Sequence, residues 1–167
     1  HSKGLEKVTF FKGQFSLWQP LACNYDTFVN QVRSICEDSH HRRWIGTRDG
    51  KINVYTAENQ HLGYLTLDGR IARQGTPFIG VAYKIIQDTH GDIWIATKGQ
   101  GILHLQGDLP AYRMERFTFD PDDMYSLSSN SVYDIMEDGK GRLWVVTFAD
   151  GINYLDRKAD GTVRFIN

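Results

Sequence analysis

VRSICEDSHHRRWIGTRDGKINVY (32–55), AYKIIQDTHGDIWIATKGQGILHL (82–105) and VYDIMEDGKGRLWVVTFADGINYL (132–155) are one pattern written three times. Trp44, Trp94 and Trp144 fall fifty residues apart. Counted from each tryptophan, Asp38, Asp88 and Asp138 lie six residues earlier, and Ile35, Ile85 and Ile135 nine earlier. Thr47, Thr97 and Thr147 lie three later, and Ile52, Ile102 and Ile152 eight later. A gapless register at this period marks a stacked or radial array, in which each unit buries its apolar faces against its neighbours.

Inside each copy the apolar residues come in short runs cut by turn residues, which is the pattern of strands. In the third copy Val132 to Glu137 and Arg142 to Thr147 flank the turn Asp138-Gly139-Lys140-Gly141. Ala149-Asp150-Gly151 leads into a third strand, Ile152 to Asp156, and Asp160-Gly161 into a fourth, Val163 to Ile166. Gly and Asp tolerate the positive φ such turns need. Four antiparallel strands make one blade. A lone blade cannot bury both faces, so the copies pack face to face with the tryptophans between them. The polar stretch Asp123 to Ser131 reads as a loop between blades.

The expected fold is therefore all-β: a β-propeller fragment of about three and a half four-stranded blades. Full blades are expected at 32–67, 82–119 and 132–166 of a single segment. Gly4 to Val8 matches Gly101 to Leu105 and Gly151 to Leu155, so residues 1–18 read as the outer half of a further blade. Phe10, Phe11, Phe15, Trp18, Tyr112, Phe117 and Phe119 are expected in outer strands as core. The expected total is fourteen strands. Closed propellers use about four to eight blades, so the chain reads as a piece of a larger protein or as half of an assembly. The faces of its end blades are expected to seek partners: the rest of the propeller, or a second copy in a homodimer.

Lys+Arg 19 against Asp+Glu 20 gives a net charge of −1 with the signs interspersed. Nucleic acid and anionic membrane surfaces call for a basic face, so neither is expected as a partner. No apolar run approaches the ~18 residues of a spanning helix, and no direct membrane contact is expected from this segment. Cys36 aligns with Ile86 and Met136 and reads as a buried thiol. Cys23 lies in an inter-blade connection, and a disulfide between the two is the less favoured reading.

The three copies resemble the two-component regulator propeller repeat, built around Asp-x-x-Gly-x-x-Trp-Ile-Gly-Thr followed by Gly and an aliphatic residue. Asp88/Gly91/Trp94-Ile95-Ala96-Thr97 and Asp138/Gly141/Trp144-Val145-Val146-Thr147 carry it; Asp38/His41/Trp44-Ile45-Gly46-Thr47 has His41 where the turn glycine stands. The linker 117–132 is similar to the inter-blade segment in hybrid two-component sensors of Bacteroides-type bacteria. The resemblance implies half of a seven-bladed propeller from the periplasmic region of a membrane-anchored histidine kinase that senses oligosaccharides. The segment itself is then a non-enzymatic sensor.

A residue present in every copy is scaffold, because a site occurs once while the fold repeats. Asp38, Asp88 and Asp138 are expected to cap the backbone N–H groups of the turns that follow them. Thr47, Thr97 and Thr147 are expected to pack a methyl group and make a local hydrogen bond. His40, His41 and His90 lie in first turns without a Cys, Asp or Glu at ligand spacing, which favours solvated turns over a metal site. Neither a metal, a cofactor nor a catalytic residue is expected.

Function is expected where the copies differ. Arg48, Lys98 and Phe148 vary at the turn between second and third strands, and Arg33, Tyr83 and Tyr133 on the innermost strands. These are residues suited to sugars: an aromatic ring covers the apolar face of a pyranose, while cations bond hydroxyls or acidic substituents. The candidate ligand site is therefore Arg33, Arg48, Tyr83, Lys98, Tyr133 and Phe148. Two other classes compete. One is a purely structural or dimerisation module; the other is a streptogramin-lyase-like enzyme, which needs a single inward His or Glu near a metal.

Overall fold

A computed structural model of the protein describes residues 5–9, 14–18, 30–148 and 150–167, and structural statements refer to these residues. They form only strands and connections, in four antiparallel sheets. β1 (Leu5–Thr9) and β2 (Gln14–Trp18) make a hairpin. The first full blade holds β3 (Val32–Glu37), β4 (Arg43–Thr47), β5 (Ile52–Tyr55), β6 (His61–Leu65) and β7 (Ile71–Ala72). The second holds β8 (Ala82–Gln87), β9 (Ile93–Thr97), β10 (Ile102–Asp108) and β11 (Ala111–Phe117). The third holds β12 (Val132–Glu137), β13 (Leu143–Thr147), β14 (Ile152–Arg157) and β15 (Val163–Ile166). This is an arc of a β-propeller. The expected strand count is corrected: the first blade has a fifth strand, β7, so the described strands number fifteen.

The repeated aspartate does more than cap a turn. Asp38 Oδ1 accepts from the His40 and Arg42 backbone N–H groups at 3.0 and 2.9 Å, while Oδ2 accepts the Trp44 indole N–H at 2.9 Å. Asp88 repeats this with His90, Asp92 and Trp94, and Asp138 with Lys140, Arg142 and Trp144. Each carboxylate thus closes a turn and fixes the tryptophan that fills the space between sheets. Burial alone would raise the Asp38 carboxyl; the Trp44 and Arg42 hydrogen bonds outweigh it and hold it below the usual carboxylate range. The residue before Arg42 must adopt positive φ: His41 sits at φ 58°, where Gly91 and Gly141 have 89° and 75°. Its Nδ1 bonds Glu37 Oε1 at 2.9 Å, helping to hold a conformation that glycine adopts freely. The threonine hydroxyls donate to the carbonyls of Lys51, Gly101 and Gly151 across the next turn.

Two cores fill the two spaces between the full blades. Trp44, Ile52 and Val54 of the first blade meet Ile85, Ile95, Leu103 and Tyr112 of the second. Trp94 and Ile102 of the second meet Ile135, Leu143, Val145 and Phe165 of the third. Along the column Gly46, Ala96, Val146, size follows the closeness of the neighbour. A methyl added at Gly46 would lie 2.8 Å from the Ala82 Cβ, Ala96 is fully buried, and Val146 faces outward.

On the third blade that outward face is uncovered. Met136, Val146 and Ile152 are 53, 37 and 59% exposed, although Ile102, in the column of Ile152, is fully buried one blade earlier. With Trp144 they line a groove of about 300 Å³. Among the outer-strand aromatics, Tyr112 is buried, Phe117 packs on the second core, and Trp18 meets Tyr55 edge-on at 5.2 Å. Burial pushes the Tyr112 phenol up to about 12. Phe119 departs from the core expectation: it lies beyond β11 in the inter-blade connection and is 46% exposed. Phe10, Phe11 and Cys23, and with Cys23 the disulfide alternative, fall outside the described residues, as does the Phe15 side chain. Cys36 is a free, half-buried thiol, pushed up by that burial.

Candidate functional site at the bulged ends of the inner strands

The ladder between first and second strands slips once in every blade, at the same place. Val32 pairs Thr47 and Ser34 pairs Gly46; Ala82 pairs Thr97 and Lys84 pairs Ala96; Val132 pairs Thr147 and Asp134 pairs Val146. The unpaired extra residues are Arg33, Tyr83 and Tyr133. A bulge of this kind releases one residue from the pleat and re-aims it. Just beyond it, the N–H groups of Arg48, Lys98 and Phe148 donate to the carbonyls of Gln31, Val81 and Ser131 at 2.9, 2.9 and 2.8 Å.

The six candidate residues are therefore three equivalent pairs at one end of the blades: Arg33 with Arg48, Tyr83 with Lys98, and Tyr133 with Phe148. The aromatic members touch. Tyr83 and Tyr133 meet edge-to-face across the blade boundary at 5.1 Å, and Tyr133 and Phe148 at 5.3 Å. Tyr133 and Phe148 are 44 and 56% exposed, leaving ring surface for a ligand. The Arg48 guanidinium bonds Gln31 Oε1 at 2.9 Å and is held in place, while Arg33 and Lys98 are exposed and have no ion pair among the described residues. Lys84 Nζ lies 3.7 Å from Asp134 Oδ1 and links the second and third blades, each residue next in sequence to one of the two tyrosines. The pair carries no mark in the repeat columns beyond the fact that 34, 84 and 134 differ between copies. The bulge left no sequence mark at all.

A second variable cluster lies between the blades, away from the bulges. Gln87 Oε1 accepts the Ser39 N–H and Glu137 Oε2 the Thr89 N–H, so each blade clasps the preceding turn through one column. Beside this clasp the charges exchange places. Arg42 of the first blade bonds its own Asp38 and reaches Asp108 of the second. In the second blade the Arg42 column holds Asp92, and Arg157 of the third blade supplies the cation, 3.3 Å from Asp88 and 3.9 Å from Asp92. These are inter-blade fastenings. His40 and His90 sit beside them, 3.7 Å from Asp108 and 4.0 Å from Asp88.

His104 was missed by sequence reasoning, because the column holds Val54 and Tyr154 in the other copies. It is buried, stacks on Trp94 at 3.9 Å, and bonds Asp92 Oδ2 through Nε2 at 2.7 Å. Nδ1 is buried without a partner. The ring belongs to the third strand of its blade, in the packing between sheets, so it is poorly placed to act at the axis. Burial lowers the imidazole despite the opposing pull of Asp92. Its folded value lies below the unfolded 6.5, so stability present above that value is lost as pH falls through the folded one. His61, also lowered by burial, adds to the same window. The lowered aspartates act only below their ordinary value of 3.8. The urea midpoint is expected to fall between about pH 7.5 and 5, and His104→Gln is expected to flatten that fall; an unchanged slope in the variant would remove His104 as its source.

Residues 126–149 match the two-component regulator propeller family. Among solved structures, the extracellular domain of a hybrid two-component system from B. thetaiotaomicron is 21% identical, with 94% of this chain and 19% of that chain covered at a TM-score of 0.70. The extracellular domain of a second hybrid two-component system from B. thetaiotaomicron is 25% identical over 92% of this chain and 17% of that chain, at 0.62. A streptogramin B lyase is 12% identical over 99% of this chain and 62% of that chain, at 0.50, which is a likeness of fold alone. The chain thus spans less than a fifth of the two extracellular domains it is similar to. No curated protein matches it in sequence.

Proposed function

We propose that this arc of two-component regulator propeller repeats is a non-enzymatic ligand-sensing segment of an extracytoplasmic sensor region, recognising oligosaccharide and relaying its presence to a histidine kinase. The observation that carries the binding reading is the aromatic cluster at the bulged ends of adjacent inner strands, in which half-buried Tyr83 backs the exposed Tyr133 and Phe148. Edge-to-face packing fixes the rings relative to one another, so they offer a preformed surface at little entropic cost. Similarity to sensor ectodomains supports the sensory role and a periplasmic location. Among the described residues no helix is long and apolar enough to cross a membrane.

The test is isothermal titration of the complete ectodomain against neutral and acidic oligosaccharides. Tyr133→Ala removes the ring shared by both aromatic contacts and is expected to weaken binding on the order of tenfold or more, at 1–3 kcal/mol. Affinity that is untouched by the variant, or silence across the whole panel, would overturn the assignment.

A second reading has its own observation, the uncovered apolar face of the third blade. Equivalent columns are buried against a neighbour one blade earlier, so this face is suited to another blade, either in the rest of the propeller or in a second copy. Light scattering of the 167-residue chain is expected to show concentration-dependent association that Ile152→Asp abolishes. A monomer at high concentration would remove this reading.

A further inference from the structure

The three rim pairs are not alike, and their order gives the site a direction. The first blade offers Arg33 and Arg48, the second Tyr83 and Lys98, the third Tyr133 and Phe148. Neighbouring blades are directly packed along this path: Ser34 Oγ donates to the Ala82 carbonyl at 3.0 Å, and Tyr83 meets Tyr133. The site therefore runs from cationic to aromatic across three adjacent positions.

Two carboxylates near this path have partners of their own. Asp134 faces Lys84, and Asp49, next to Arg48, accepts from the Thr47 hydroxyl at 2.5 Å. Asp150 lies two residues after Phe148 on the third blade, whereas both arginines belong to the first. No carboxylate of the described residues pairs with Arg33 or Lys98, whereas Arg42, Arg43, Arg70, Arg142 and Arg157 each hold an acidic partner. Arg33 and Lys98, two exposed cations without an acidic partner among the described residues, are suited to an anion.

We propose that the ligand is an anionic oligosaccharide, bearing a carboxylate or a sulfate, that lies in one orientation. Its charged group meets Arg33 and Lys98, with Arg48 held alongside by Gln31, and an adjoining pyranose face covers Tyr133 and Phe148. This rests on the carbohydrate reading above and adds the charge and the polarity of the ligand. Arg guanidinium groups pair planar oxyanions through two parallel N–H donors, which lysine cannot reproduce.

The experiment uses the complete ectodomain and matched probes: tetragalacturonate with its carboxyl-reduced form, and a sulfated tetrasaccharide with its desulfated form. An anionic probe is expected to bind on the order of tenfold or more tightly than its neutral partner, with affinity falling as salt rises. Arg33→Gln is expected to erase that preference, so that the anionic and neutral forms bind alike; Tyr133→Ala is expected to weaken both forms. Equal binding of both members of a pair, lost in Tyr133→Ala and indifferent to Arg33→Gln, would overturn the anionic ligand and leave the carbohydrate reading standing. Silence of all four probes would overturn both.

Discussion

Trp94→Ala is expected to destabilise the protein by about 3–5 kcal/mol, the range for emptying the volume of a large buried aromatic ring. Trp94 is fully buried between the second and third blades, stacked on His104, with Arg157 over its ring at 5.6 Å and its N–H on Asp88. Native domains hold about 5–15 kcal/mol in all, so one such loss threatens the whole arc. The measurement is the urea midpoint by tryptophan-independent circular dichroism. Trp144→Ala is the internal comparison. Its ring faces the uncovered side and is only half-buried, so its removal leaves less of a cavity and is expected to cost clearly less. Equal losses at the two positions would mean that the indoles do not wedge successive blades apart.

Asp88→Ala is expected to be comparably severe, at about 3–5 kcal/mol, because it strands the partners of a buried charge. The side chain is 1% exposed and serves the Trp94 indole, two turn N–H groups and the Arg157 guanidinium at once. Hydrophobic burial plays no part in this loss, which comes from donors left without acceptors in a dry space. Asp88→Asn keeps one acceptor oxygen for the turn and is expected to fall between wild type and alanine. The Asp88→Ala and Trp94→Ala losses should be far from additive, since each removes the other's partner. Additive losses in the double variant would show that the hydrogen bond between them carries little.

The two predictions concern residues that the sequence marks equally in all three copies, yet the structure grades them by position. Asp38, Asp88 and Asp138 share one column and one set of hydrogen bonds. Asp88 also receives a cation from the next blade, while Asp138 has only its own Arg142. The difference lies in what stands on the other side of the sheet, and a column cannot record that.

The repeat period, the strand-and-turn grammar and the Asp-to-Trp spacing determined the architecture by themselves, because a unit that cannot bury its own faces must stack. The identical columns were readable as scaffold for the same reason. Tertiary structure alone decided the rest. A β-bulge has no residue signature when the freed position is Arg in one copy and Tyr in two, so only the ladder register shows that 33, 83 and 133 are re-aimed alike. Likewise the cation at Arg157 and the carboxylates at Asp88 and Asp92 lie some seventy residues apart in the chain. Packing one blade on the next makes them neighbours, and such proximity depends on the shape of the whole arc.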